Sequence, residues 1–504
     1  MSKDTLKKIN NDDGDDYHDN INIRPRLFGT NGVRGVFGKE LTIDLVIDLS
    51  YSLATYFKNG PIIIGHDGRK SSPILSKLVS STINSAALDT CNVGLLPTPC
   101  LQYAVKKLGC SGGIMITASH NPPEYNGLKP IAEDGVEISR EDELKVEDIF
   151  YSKDYSEVDG YGLEYTRKDV INSYIEAVLA LVDIEKIRDR KFSIVMDTGN
   201  GVQAAVAPFL ASKLGCKITT INGNIDGNFP SRGSEPTADN LTMLSNLVKD
   251  TKADFGVAYD GDGDRSIFCD EKGVVYPGDK TGTLLVKHLL INRHSGAEVV
   301  CPVNTTMALP LMIEKESEKS NVIYTKVGSV EVSREMVRRK ALIGLEENGG
   351  FMYGKLNEVR DGAMTTALML DMLAISSTLL SGTMNSMPTA TRSTDKEKKE
   401  VVSLSKLMET LPKVFQYKSK FKCPSKQVAR QIIKECRDHG TPHKVETLDG
   451  VKLWIDKETW IMIRPSGTEP LIRIYAESTD ESLLNSKVAE YSRIIQKKIS
   501  VQST

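Results

Sequence analysis

Asp260-Gly261-Asp262-Gly263-Asp264-Arg265 places three carboxylates on alternate residues and follows them at once with a cation. Like charges this close repel, so any fold that gathers Asp260, Asp262 and Asp264 has to supply a counter-charge. A hard divalent cation is the natural one. Carboxylate oxygens suit Mg²⁺ or Ca²⁺, and glycines let a short loop wrap its acids around one ion. Mg²⁺ would keep positions open for a phosphate, and Arg265 could hold a second anion beside it. The plain alternative is a solvated acidic turn.

A calcium loop between two helices is the sharper rival, because Asp260, Asp262, Asp264 and Glu271 fall at its first, third, fifth and twelfth places. It fails at the sixth place, where the turn needs glycine and this chain has Arg265. The flanks fail as well: 254–259 and 266–269 read as short strands around a loop, not as paired helices.

A chain of 504 residues has room for roughly three or four domains. Its 64 basic and 67 acidic side chains nearly cancel, which gives no reason to expect a nucleic acid or a membrane surface as partner. The eight cysteines, Cys91, Cys100, Cys110, Cys216, Cys269, Cys301, Cys423 and Cys436, lack CxxC spacing and read as free thiols in a reducing cytoplasm. Residues 1–23 are polar and rich in Asp and Asn, the pattern of a disordered tail rather than a signal peptide. The most apolar long stretch, 363–380, carries Asp371 and several Ser and Thr residues, so it reads as a packed helix ended by Gly382.

Three segments, 61–67, 192–201 and 299–306, run from a β-branched strand through a polar turn into helix-like sequence, which argues for α/β domains with parallel or mixed sheets. A helix is expected over 168–182 after a polar boundary at 151–162. Residues 381–400 read as a linker or surface insertion, and beyond it strands at 451–455 and 460–463 with helices near 425–436 and 480–498 mark an α+β domain.

Three further stretches carry chemistry. In Thr117-Ala118-Ser119-His120-Asn121-Pro122-Pro123, after a strand-like 113–116, Ser119 sits on a proline-stiffened loop with His120 and Lys129 near in sequence. The alternative is an ordinary Asn-Pro turn, and a serine hydrolase is disfavoured because Gly-x-Ser-x-Gly is absent there. Gly344-Leu345-Glu346-Glu347-Asn348-Gly349-Gly350 offers carboxylates and an amide to neighbouring hydroxyls, as a sugar ring demands, or is a surface turn. Arg464-Pro465-Ser466-Gly467-Thr468-Glu469-Pro470, with Arg473 beyond it, can cradle a phosphate dianion or form a tight turn, and it is not a nucleotide-binding Walker A loop.

Taken in order, these four stretches resemble the signature loops of the α-D-phosphohexomutases, and Phe28-Gly29-Thr30-Asn31-Gly32-Val33-Arg34-Gly35 resembles that family's opening. The resemblance implies four domains around a central cleft: 24–170 with the serine loop, 171–276 with the metal loop, 277–385 with the sugar loop, a linker at 386–402, and 403–504 with the phosphate loop. Domains one to three should share an α/β topology with mixed sheets, the fourth being α+β. By the same resemblance Ser119 is a phosphoserine that exchanges its phosphoryl group with a hexose 1- or 6-phosphate through a hexose 1,6-bisphosphate. Mg²⁺ would lie between Ser119 and Asp260, Asp262 and Asp264; His120, Lys129, Arg34 and Arg265 would surround the transferring group, with Lys129 handling a proton. Glu346 and Asn348 would read the sugar, while Arg464, Ser466, Gly467, Thr468 and Arg473 would hold the idle phosphate.

The third loop departs from the common Gly-Glu-x-Ser-Gly-His pattern at Leu345, Asn348 and Gly350, and Asn31 replaces a frequent Asp in the opening. The opening resembles phosphoglucosamine mutases most, with a phosphomannomutase or a dual mannose/glucose enzyme as the alternative. A silent phosphosugar-binding protein is the rival from another class, against which Ser119 and all three aspartates stand. The partner expected is a small sugar phosphate, the enzyme being a cytoplasmic monomer or homodimer.

Overall fold

The computed structural model describes residues 26–29, 31–383, 402–466 and 471–501. The expectations for the tail at 1–23, for Gly467 and Thr468, and for the linker up to residue 401 lie outside the described residues. The described strands form four sheets, within 33–166, 193–270, 299–360 and 415–478.

The first three sheets repeat one wiring. In the first, Ile62–His66 runs parallel to Thr90–Leu95 on one side and to Gly112–Ile116 on the other, and Tyr125–Ala132 returns antiparallel beside Gly112–Ile116. In the second, Ser193–Asp197, Lys217–Ile221, Phe255–Tyr259 and Ser266–Asp270 take those four places. In the third they are Val299–Pro302, Val322–Thr325, Ile343–Leu345 and Phe351–Tyr353. The sheets are therefore mixed, as expected. The fourth is wholly antiparallel, with helices Lys426–Asp438 and Glu481–Val501 packed on it.

This wiring positions the chemistry. In each of the first three sheets the third strand enters a hairpin at the end where the parallel strands finish, the place at which α/β sheets present ligands. Those hairpins are 117–124, 260–265 and 346–350; in the fourth domain the sequence 466–470 connects the antiparallel strands Thr459–Pro465 and Leu471–Ser478.

The first three domains share one core. Met115, Tyr259, Leu345 and Leu368 belong to a single buried cluster that draws on all three sheets. Helix Gly362–Thr383 runs through it, passing Gly382 by one residue where the sequence suggested a stop. From Ala363 to Ala374 its side chains are buried all round, so this part of the helix shows no amphipathic stripe. Its Asp371 pairs with Arg293 at 2.6 Å and lies 3.1 Å from His288 Nε2. Short helix Leu404–Met408 inserts Leu404 into the same core, ahead of the fourth sheet. The helix expected over 168–182 forms as Val170–Leu179, and a second helix, Ile184–Arg190, follows it. All eight cysteines are free. Among the described residues, no helix is long and apolar enough to cross a membrane.

The fourth domain has its own core around Ile432, Leu453 and Ile474 and meets the third through Trp460, Met462 and Tyr475 against Val303 and Met307. Lys452 crosses this seam, donating to the Val303 carbonyl at 2.8 Å with its ammonium 4.0 Å from the centre of the Trp460 ring. Asp279 lies buried beside the seam, accepting from the Thr306 amide at 2.9 Å, and burial pushes its carboxyl from 3.8 up to about 7. Between those two pH values the folded chain keeps a proton that the unfolded chain has released, so stability falls as pH rises across the window. Asp279→Asn should remove that slope, leaving a variant that gains most over the parent above pH 7; urea melts at pH 5 and pH 8 would show it, and parallel pH profiles would contradict it.

Candidate active site

The serine loop is built around one buried ion pair at the end of the first strand. Asp67 takes Arg69 Nε at 3.0 Å, Ser72 Oγ at 2.6 Å and Thr117 Oγ1 at 2.7 Å. The Arg69 guanidinium in turn donates to the carbonyls of Ser119 (2.9 Å), Asn121 (2.7 Å), Pro122 (2.5 Å) and Tyr125 (3.0 Å). A carbonyl-rich loop is thus wound about one cation. At its apex Ser119 takes φ +50°, a left-handed conformation uncommon for a serine, and its N–H donates to Thr117 Oγ1 at 2.8 Å.

Ser119 Oγ donates to Asp260 Oδ2 at 3.0 Å, so the first and second loops meet at the reactive atom. Gly261 makes that approach possible, since a Cβ there would lie 2.6 Å from the Ser119 carbonyl oxygen. The N–H groups of Gly263 and Arg265 both donate to Asp260 Oδ1 at 3.1 Å. Asp262 Oδ2 accepts from Thr98 Oγ1 at 2.8 Å and Lys129 Nζ at 3.2 Å, and Lys129 also lies 3.4 Å from Asp264 and 4.0 Å from Glu137. Arg360 joins Asp264 at 2.5 Å to Glu346 at 3.4 Å. Two helix N-termini point at the loop: the Thr98 N–H donates to the Asp262 carbonyl at 3.0 Å and the Gly362 N–H to the Gly263 carbonyl at 3.3 Å.

Even so, the negative charge is not fully met. Burial, then repulsion from Asp264 and Asp262, holds the Asp260 carboxyl well above the usual carboxylate range. Burial acts on Asp262 in the same direction, but Lys129, the Thr98 hydroxyl and Arg360 outweigh it and keep its carboxyl below that range. Asp262 Oδ1 and Asp264 Oδ1 are buried without a hydrogen-bond partner. One oxygen from each of the three aspartates lies within 4.8 Å of the others. Orphaned, converging carboxylate oxygens are the donor set a hard divalent cation takes, so the residues present fit such an ion.

His120 Nδ1 lies 3.4 Å from Ser119 Oγ and 3.1 Å from an Arg265 guanidinium nitrogen. Arg265, then burial, then Arg34 force its imidazole to stay neutral. Arg34 donates to the carbonyls of Asn31 (3.0 Å) and Ala118 (3.3 Å) and to Asn121 Oδ1 (3.1 Å). The structure thus gathers Ser119, His120, Lys129, Arg34, Arg265 and the three aspartates, and Arg360 ties Glu346 to them. Glu346 is 4% exposed, its carboxyl raised by burial against the pull of Arg360 and Arg265. Asn348 is half-buried and caps its own loop at the Gly350 N–H, 3.1 Å. Its neighbour Glu347 binds Lys418 of the fourth domain at 2.8 Å and Asn304 at 2.9 Å. In the fourth loop Arg464 and Arg473 stand directly opposite across the ladder, and the Ser466 N–H closes the hairpin on the Leu471 carbonyl at 2.8 Å.

Arg69, Arg360, Thr98 and Glu137 escaped the sequence reading, and Glu347, read there as a carboxylate for sugar hydroxyls, instead pairs with Lys418 and Asn304. Asp67-Gly68-Arg69 carried a signal, lying at the turn of a strand–helix unit already singled out. Arg360 carried none, because a lone Arg-Asp dipeptide does not reveal that folding will bring it to Asp264.

Profiles of the phosphoglucomutase/phosphomannomutase alpha/beta/alpha domains I, II and III match residues 25–157, 172–273 and 277–390, and that of its C-terminal domain matches 420–493. The chain belongs to the phosphoglucomutase/phosphomannomutase family. It is 41% identical to a phosphoglucosamine/phosphogalactosamine mutase of Sulfurisphaera tokodaii over 94% of this chain and 100% of that one. It is 35% identical to a phosphoglucomutase/phosphomannomutase of Thermococcus kodakarensis, over 92% and 96%. A solved phosphoglucomutase/phosphomannomutase family protein from Burkholderia thailandensis shares the fold at a TM-score of 0.79 and 23% identity, covering 94% of this chain and 97% of that one.

A divalent cation at the three aspartates should raise the melting temperature, by about 2.7 kcal/mol of stability at a hundredfold excess over its dissociation constant. Asp260→Asn should abolish that response while leaving the metal-free protein as stable as its parent or more so, since it deletes a charge that burial already disfavours. Calorimetric scans with and without Mg²⁺ check both, and an undiminished metal response in the variant would contradict the site.

Proposed function

We propose that this chain is a phosphohexomutase that interconverts hexose 6-phosphate and hexose 1-phosphate through a phosphoserine at Ser119 and a hexose 1,6-bisphosphate. The observation that carries the reading is Ser119 Oγ, buried and 3.0 Å from Asp260 Oδ2 in a cluster fit for a divalent cation. That cation, taken to be Mg²⁺, would neutralise charge on the phosphoryl group when bound at Asp260, Asp262 and Asp264.

The phosphoryl group of Ser119 passes to the free 1- or 6-hydroxyl of the sugar: the P–Oγ bond breaks, a P–O bond to the sugar forms, and the hydroxyl proton ends on Ser119 Oγ. Lys129 is assigned the proton transfer, its ammonium being released from Asp262 and Asp264 to the extent that a cation takes their oxygens. Arg34, Arg265 and neutral His120, the last able to donate or accept one hydrogen bond, border the moving group. The bisphosphate turns end over end, and the same steps in reverse return the other phosphate to Ser119. Glu346 and Asn348 read the ring hydroxyls, and Arg464, Ser466, Gly467, Thr468 and Arg473 clamp the phosphate that is not reacting. One reactive station and one clamp serve both orientations of a pseudo-symmetric ligand, so positioning carries much of the rate.

Glucosamine phosphate is the preferred substrate in this reading, supported by the Sulfurisphaera relative and by probable phosphoglucosamine mutases 30–33% identical to the chain. A mannose/glucose specificity is the second reading, favoured by the Thermococcus relative. ³¹P NMR with Mg²⁺, a trace of hexose 1,6-bisphosphate, and glucosamine, mannose or glucose 6-phosphate in separate tubes decides between them. A 1-phosphate signal should grow fastest with glucosamine 6-phosphate, vanish with Ser119→Ala, and slow by about 10²- to 10⁴-fold with Lys129→Met. Turnover by Ser119→Ala would remove the phosphoserine route.

A further inference from the structure

Lys129, the residue assigned the proton transfer, has three carboxylates around its ammonium. Asp262 lies 3.2 Å away, Asp264 3.4 Å and Glu137 4.0 Å. The two nearest belong to the trio whose oxygens converge, and Glu137 does not. A cation bound at that trio competes with Lys129 for Asp262 and Asp264, but not for Glu137.

Local structure delivers Glu137 to that place. After strand Tyr125–Ala132 the chain turns back, the Gly135 N–H closing on the Ala132 carbonyl at 2.9 Å, and an antiparallel bridge sets Glu137 opposite Ile131. Lys129 lies two residues before Ile131 on the same face of the strand, so Lys129 and Glu137 are diagonal neighbours. The third domain pins the turn. Its Arg334 donates to the carbonyls of Glu137 (2.7 Å) and Val136 (2.9 Å) and to the Asp134 carboxylate (2.7 Å). Glu137 Oε1 is fixed by Asn31 Nδ2 at 3.1 Å, which also reaches Ser329 Oγ of the third domain at 3.1 Å. Glu137 Oε2 is buried and has no hydrogen-bond partner among the described residues. Burial opposes the charge on Glu137, but Lys129 and Arg360 outweigh it and hold its carboxyl below the ordinary range. The side chain is a fixed, ionised acid with an acceptor in reserve.

We propose that Glu137 is a positioning residue that holds the Lys129 ammonium when Asp262 and Asp264 are engaged by a divalent cation. It thereby lowers the cost of freeing Lys129 from the aspartates and keeps the freed ammonium within the site. Glu137 acts through Lys129 and is not itself a ligand of the cation. The inference rests on the reading of Lys129 as the proton carrier, but the metal-binding half of its test does not depend on turnover.

The test is isothermal titration of the full-length chain with Mg²⁺, no sugar phosphate being added, for the parent, Glu137→Gln, Lys129→Met and the double variant. Glu137→Gln keeps an oxygen for the Asn31 amide but leaves the displaced ammonium without its counter-charge, so Mg²⁺ should bind about tenfold weaker. Lys129→Met removes the competitor and should bind Mg²⁺ tighter than the parent. On that background Glu137→Gln should change the affinity by less than about twofold. A thermal melt of each variant confirms folding, and Lys129→Gln, also uncharged, replaces Lys129→Met should that variant not fold. At saturating Mg²⁺, Glu137→Gln should lower kcat about tenfold while KM for the hexose phosphate stays within about twofold of the parent. Parent-like Mg²⁺ affinity in Glu137→Gln, an undiminished loss on the Lys129→Met background, no Mg²⁺ binding by the parent, or a raised KM with unchanged kcat overturns the proposal. The expected Mg²⁺ affinities in a chain without mutase activity would sink the proposed function and leave the placement of Lys129 by Glu137 standing.

Discussion

Three aspartates buried against a serine hydroxyl are the constraint around which the first three domains are arranged. Taking such charges out of water costs several kcal/mol per ion unless partners arrive with good geometry. Here the partners come from separate parts of the chain: Lys129 and Thr98 from the first domain, Arg360 from the third, Arg265 from the loop itself. None can be positioned unless the first three sheets are held in fixed relation, which their common core does. The remaining imbalance, concentrated on Asp260 and on the orphaned oxygens of Asp262 and Asp264, is what a divalent cation would remove.

A repeated wiring explains how one point can draw on several domains. Each hairpin between third and fourth strands leaves its sheet at the same place, so sheets packed about a shared core bring their hairpins together. The serine and metal loops touch at Ser119 and Asp260, and the third loop leans on the second, the Ser266 N–H donating to the Gly349 carbonyl at 3.0 Å. The fourth sheet keeps a core of its own and meets the third domain across a seam of mixed aromatic, ionic and hydrogen-bonded contacts.

The contiguous parts of this arrangement were legible in the sequence. Asp260 to Arg265 and Thr117 to Pro123 carry their chemistry in consecutive residues, and the strands flanking the acidic loop follow from their β-branched and aromatic runs. The threefold wiring was visible only as recurring strand–turn–helix units, because topology repeats here while the residues filling it do not. Arg69 and Arg360 stayed hidden, since an arginine's partner is chosen by tertiary packing and leaves no local period. Glu346 was found as a polar loop residue, but nothing in its neighbours indicated that Arg360 would bury it beside Asp264.

The central claim is that Ser119 carries the phosphoryl group in transit. Peptide mass mapping of the chain after incubation with glucose 1,6-bisphosphate and Mg²⁺, followed by a chase with excess hexose 6-phosphate, tests it most directly. The account predicts one phosphoryl group on the peptide containing Ser119, lost in the chase as hexose bisphosphate appears. A label on another residue, or one on Ser119 that the chase leaves in place, would contradict it.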